Sequence, residues 1–377
     1  TVGGKLTVLS GDAATAGSLT ISGNVTAQEM KLAVSAGAAS DSNPDYNKHL
    51  VNVSGNLTAR DKGSITIGGT AAQYYTGTVT AGNLTVNTKE HDVYFSYLQV
   101  DKLTVGEGAT VHVRSSSDAV HVSSSVFPEV DLYGTLALDA PGVTYNDTHK
   151  VNVMSDAARL VFGEGCTIAD LQIFGKQDNT GSSSYTDLLI EAMSRSATVT
   201  SMKDLGTLTV NTGSLTVKNA GGAVHGELFL NNGKLQLGEN TNDIMAAGSG
   251  AVRLENGGIL DIGSTTQTLY ARNEAESLSL SGASSITGAA DGEVRLENGV
   301  KVNYEGIGNS IEAKLTVGQN ITLNAAQLED ASSLEITGLI SGSGNMNLTG
   351  KGIVVLYGAN TGYTGTVTVD NGSTLTL

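Results

Sequence analysis

The chain has 377 residues, with 48 Gly, 3 Pro, 1 Cys and no Trp, so glycine stands at about twice its ordinary share. Charged residues make up only 15%, and acids outnumber bases 37 to 21, for a formal net charge of −16. This composition excludes a disordered tail, a disulfide scaffold and collagen, and without adjacent basic residues it argues against nucleic acid and anionic membranes as partners.

No apolar run is long enough to span a bilayer as a helix. The chain begins Thr1-Val2-Gly3-Gly4 and ends inside strand-like sequence at Ser373-Thr374-Leu375-Thr376-Leu377. It is therefore expected to be a segment of a longer chain.

Taken in order, the dominant element is a short strand framed by Gly or Asn. Gly4-Lys5-Leu6-Thr7-Val8, Gly17-Ser18-Leu19-Thr20-Ile21, Gly55-Asn56-Leu57-Thr58 and Gly82-Asn83-Leu84-Thr85-Val86 are the first examples. Apolar residues recur every second position with Thr between them, the period of a strand with one buried and one wet face. A polar loop, Ser40 to His49, interrupts the pattern. Its Asp41, Asn43 and Asp45 alternate like the start of an oxygen-ligand loop, which makes them weak calcium candidates. Pro44 and Tyr46 stand where flexible positions would be needed, so an Asx-rich turn without a cofactor is the favoured reading.

Tyr74-Tyr75 and Tyr94-Phe95-Ser96-Tyr97 are the aromatic clusters. Tyr94 and Tyr97 are the candidates for stacking on a sugar, although alternating Tyr in a β-wall more often simply packs. Alternation puts His112, Arg114 and His121 on outer strand faces, where water is the expected partner. Ala140 to Asp147 forms a second loop, and Cys166 reads as a small buried residue. Lys176 to Ser184 forms a third loop, leading into Thr186-Asp187-Leu188-Leu189-Ile190-Glu191-Ala192-Met193-Ser194-Arg195. That stretch predicts one short helix over 186–195, capped by Thr186.

The strand phrase returns at Gly206-Thr207-Leu208-Thr209-Val210, Gly213-Ser214-Leu215-Thr216-Val217 and Lys314-Leu315-Thr316-Val317. Gly250-Ala251-Val252-Arg253-Leu254-Glu255-Asn256-Gly257 recurs almost unchanged as Gly292-Glu293-Val294-Arg295-Leu296-Glu297-Asn298-Gly299. Turns of a parallel β-helix take about 20 to 25 residues, so the offset between the two copies reads as two turns, with Glu255 and Glu297 outward and solvated. Recurrence of one phrase favours unidirectional stacking over a sandwich of hairpins. The sequence divides into a decorated portion (1–205), regular turns (206–341) and a distinct end (342–377), all in one solenoid.

That end carries a resemblance. Gly342, Gly344, Gly350, Gly352, Leu356, Gly358, Asn360, Thr361, Tyr363, Thr364, Gly365, Thr366, Val369, Gly372 and Leu375 form a dense motif. It resembles the autotransporter-associated β-strand repeat in passengers of type V secreted proteins of Gram-negative bacteria, with Gly362 as a departure from the usual spelling. The resemblance implies a right-handed parallel β-helix, exposure at the cell surface or outside the cell, and a C-terminal β-barrel translocator beyond this segment.

Protease passengers of that kind carry Gly-Asp-Ser-Gly. The nearest phrase, Gly11-Asp12-Ala13, lacks the nucleophile. No paired carboxylates of the glycoside-hydrolase type stand out. The expectation is a non-catalytic adhesin that binds host glycan, matrix or itself through its polar wall and loops. A polysaccharide-degrading β-helix and a purely structural stalk or export scaffold are the alternatives.

Overall fold

A computed structural model describes residues 1–10, 18–35, 50–89, 91–114, 124–164, 166–176, 185–192, 196–246, 250–271, 278–325, 332–357 and 360–377. They form strands and turns without a helix, and the strands pair in parallel as a β-solenoid. The chain comprises two compact units, residues 1–176 with 187–197, and residues 177–186 with 198–377. The all-β parallel architecture read from the alternating period is thus observed.

In part of the first unit the three legs of a turn lie within continuous, bent strands. Ala72–Thr88 runs through legs at 72–75, 78–81 and 83–88, and Val93–Val105 repeats them one turn later. Gln73 lies beside Val93, Thr78 beside Tyr97 and Asn83 beside Lys102, so the three legs advance by nearly the same length of chain. The register shifts between Tyr75 and Thr78, where Thr76 and Gly77 turn the corner. Each leg sends alternate residues inward, so Val79, Ala81, Leu84 and Val86 are buried between the turns.

In the second unit the three legs are separate strands. Val252–Glu255, Ile259–Asp261 and Thr266–Tyr270 make one turn, and Leu278–Ser281, Ser285–Thr287 and Glu293–Glu297 make the next. Equivalent inward residues stack as a ladder, Leu208, Leu228, Val252, Leu278, Val302 and Leu323, each at most 1% exposed. Burying each such side chain contributes about 1.5–3 kcal/mol, and no turn obtains this alone.

Two expectations are corrected. Leu188–Ala192 is a strand, with Leu188, Ile190 and Ala192 inward and Leu189 and Glu191 half-buried. The Leu-Leu-Ile-Glu-Ala stretch satisfies either period, and pairing with Arg159–Phe162 decides for the strand. The two copies of the repeated phrase are not equivalent positions two turns apart. Val252–Glu255 continues the ladder of Leu228 and Leu278, whereas Glu293–Glu297 lies on a different leg, between Thr266–Tyr270 and Lys314–Val317. The phrase specifies a strand followed by a corner, with Asn256 and Gly257, then Asn298 and Gly299, all at positive φ. Such a unit fits any leg.

Side-chain amides tie corners of successive turns together in both units. Asn24 Oδ1 accepts the Asn56 N–H at 2.9 Å, and Asn56 Oδ1 accepts the Thr78 N–H at 3.0 Å. Asn320 and Asn345 do the same for Asn345 and Thr366, at 3.0 and 2.9 Å. Close approach also fixes Gly69 and Gly342. Both have positive φ, and a Cβ on either would come within 2.2 Å of a carbonyl oxygen of the preceding turn.

Asn56→Ala is expected to cost about 1 kcal/mol by orphaning the Thr78 N–H, and Gly69→Ala roughly 2 kcal/mol or more by strain and clash. Urea unfolding of both variants against the parent checks the order. Equal stabilities would contradict it.

Candidate functional site

The outer surface of the first unit carries a row of rings. On four successive turns Asn52, Tyr74, Tyr94 and His112 lie in register, each between two inward-facing residues. Val51 and Val53, Gln73 and Tyr75, Val93 and Phe95, and Val111 and Val113 are those buried neighbours. Strand alternation therefore projects the four from one face.

The Tyr74 and Tyr94 rings stack at 4.8 Å and 3°, and Tyr94 stacks on His112 at 4.5 Å and 17°. Parallel strands lie about 4.8 Å apart, so the backbone itself sets rings at stacking distance. Arg114 reaches over Tyr94, its guanidinium carbon 4.9 Å from the ring centre.

Carboxylates hold the row. The Tyr94 hydroxyl donates to Asp92 Oδ2 at 3.2 Å, and His112 Nε2 lies 3.3 Å from the same oxygen. His112 Nδ1 lies 2.8 Å from Asp139 Oδ2, which also accepts from Arg114 at 3.3 Å. A neutral imidazole donates to one of these carboxylates, an imidazolium to both. Burial first, then the charge and hydrogen bond of Asp92 and the neighbouring Tyr74, push the Tyr94 hydroxyl up to about 12 against the opposing pull of Arg114. It remains a neutral donor at physiological pH.

The residues singled out from the sequence are distributed as follows. Tyr94 is in the row, but Tyr97 lies beyond the corner, on the next leg, where its hydroxyl accepts from Gln99 Nε2 at 2.7 Å. The two tyrosines do not form one surface. Both faces of Tyr94 are covered, by Tyr74 and His112, which leaves its edge to solvent. His112 and Arg114 do project outward, but their partners are Asp92, Asp139 and Tyr94 rather than water alone. Asp41, Asn43, Asp45 and His121 lie outside the described residues. Among the described residues no three His, Cys, Asp or Glu side chains are placed to hold a metal ion.

Glu255 is half-buried beside Arg253, 3.5 Å away, and shares no leg with Glu297. Cys166 is 3% exposed, and burial, reinforced by the charge of Asp139, outweighs a backbone hydrogen bond at Gly163 to push its thiol up to about 12.

Sequence reading missed Asp92 and Asp139, and it named Tyr74 in an aromatic cluster without joining it to Tyr94 and His112. The available signal was the spacing of Tyr74, Tyr94 and His112, in which each ring follows the last by close to one turn of chain. Comparison with protein-family models, curated proteins and solved structures returns no match.

One carboxylate of the second unit, Glu293, carries a pH dependence. Burial alone would raise the Glu293 pKa, but hydrogen bonds from Thr316 and Arg295 and the nearby Lys314 outweigh it and hold the group below its ordinary 4.5. Its stabilising contribution is full at neutral pH and is lost as pH falls below that value. Glu293→Gln should therefore lose less stability than the parent between pH 6 and about 3, by urea midpoints; an unchanged acid profile would contradict the assignment. Cys166 is expected to react with a disulfide reagent at pH 8 at least about tenfold more slowly in the native chain than in denaturant. Comparable rates would place the thiol at the surface.

Proposed function

We propose that this chain is a non-catalytic, surface-exposed adhesin segment of the autotransporter-passenger kind, which binds glycan on a host cell or matrix through its outer wall. The observation that carries the reading is the row of Tyr74, Tyr94 and His112, projected from one face and braced by Asp92, Asp139 and Arg114. Stacked rings give apolar platforms for sugar C–H groups, and the carboxylates and hydroxyl around them accept and donate to sugar hydroxyls.

The parallel solenoid and the terminal motif over 342–377 support the passenger assignment. A repetitive wall offers a long partner many weak contacts in sequence. The net charge of −16 favours neutral over anionic glycans. Some carboxylates of the wall are engaged in ion pairs, as Asp131 is with Lys102 at 2.7 Å and Asp261 with Lys234 at 2.8 Å. That suits a solvated binding surface.

The test is retention of the purified chain on a broad glycan array, with and without calcium, together with sedimentation at several concentrations. Selective retention of neutral glycans by a monomeric chain is the expected outcome. Concentration-dependent dimers with a blank array would replace glycan binding with self-association. Release of reducing ends from any arrayed polysaccharide would overturn the non-catalytic reading in favour of the degrading enzyme.

A further inference from the structure

Stacking in the ring row is asymmetric. Tyr94 has a ring on each face, whereas Tyr74 has Tyr94 on one face and, among the described residues, no ring on the other. That other face looks toward the preceding turn, where the residue in register is Asn52, and beyond Asn52 lies Thr20. Asn52 and Thr20 are exposed, and Tyr74 is 37% exposed, the most open ring of the row.

A tyrosine side chain reaches several ångströms further from the backbone than an asparagine. Among the described residues, therefore, no side chain in register fills the rung beyond the Asn52 amide out to the length of the Tyr74 ring. The gap has the thickness of one rung, about 4.8 Å, which is the spacing of one flat ring stacked on another. Its floor is an amide that both donates and accepts, with the Thr20 hydroxyl one rung further. One wall is the aromatic face of Tyr74.

We infer that Tyr74, Asn52 and Thr20 form a binding subsite for a single neutral pyranose, which stacks a C–H face on Tyr74 and hydrogen-bonds its hydroxyls to Asn52 and Thr20. The sugar continues the ladder by one rung, taking on Tyr74 the place that Tyr74 takes on Tyr94. Neutrality follows from the surroundings. The cationic side chain beside the row, Arg114, is held by Asp139, and the whole chain is strongly acidic. An anionic sugar would meet repulsion that this engaged cation does not offset. The subsite rests on the glycan-binding reading and narrows it to one face of one residue.

Saturation-transfer NMR with the methyl glycosides of glucose, galactose, mannose and N-acetylglucosamine, at millimolar concentration, tests it. The C–H protons of at least one glycoside are expected to take up saturation from the parent chain and from Tyr74→Phe. Tyr74→Ala and Tyr74→Leu should each weaken binding about tenfold or more, and Asn52→Ala a few-fold. Thermal melts of each variant verify folding, and Tyr74→Leu retains bulk on the strand should the alanine variant fail to fold. Undiminished transfer in Tyr74→Leu, or transfer from none of the glycosides to the parent, overturns the subsite. Retention of an arrayed glycan by parent and Tyr74→Leu alike would sink the subsite while leaving the adhesin reading intact. A blank array with no transfer would remove both.

Discussion

Parallel backbone pairing between successive turns is the constraint on which the rest depends. Each leg donates and accepts hydrogen bonds to the turns on either side, so equivalent residues of neighbouring turns sit one strand spacing apart. Whatever occupies a position meets the occupant of the same position one turn away. Inside, this builds the ladder from Leu208 to Leu323. At corners it lets Asn56 and Asn345 each receive one hydrogen bond and pass on another. Outside, it brings Tyr74, Tyr94 and His112 face to face without dedicated scaffolding.

The same constraint makes like charges in register unfavourable, because they too would lie one rung apart. An acidic chain meets it by placing opposite charges on neighbouring turns. Lys5 is paired in register with Glu29, Lys102 and Lys150 with Glu129, and Glu293 with Lys314. Exposed pairs of this kind contribute little individually, about 0–1 kcal/mol. The cluster around His112 stands apart, since Asp92 and Asp139 approach one imidazole from both of its nitrogens.

How much was legible in the sequence follows from the same physics. Alternation of Leu, Val and Ile with Thr is a local property, and it determined the strands, their inward and outward faces and, through its recurrence, their parallel stacking. Burial of Cys166 and the outward placement of His112 and Arg114 were readable for that reason. The stretch at Leu188–Ala192 was not, because its apolar residues fit both helical and strand periods until Arg159–Phe162 pairs with it.

Register between turns was decided only by the tertiary structure. Turn length varies, the step from Leu208 to Leu228 being shorter than the next one, from Leu228 to Val252, so no fixed period can be laid on the sequence. Identical phrases at Val252 and Val294 consequently occupy different legs, and Tyr97, close to Tyr94 in the chain, turns a corner away from it. By itself the sequence determined which residues face outward. Which outward residues become neighbours depends on how many residues each turn spends at its corners, and closure of each turn onto the one before it settles that.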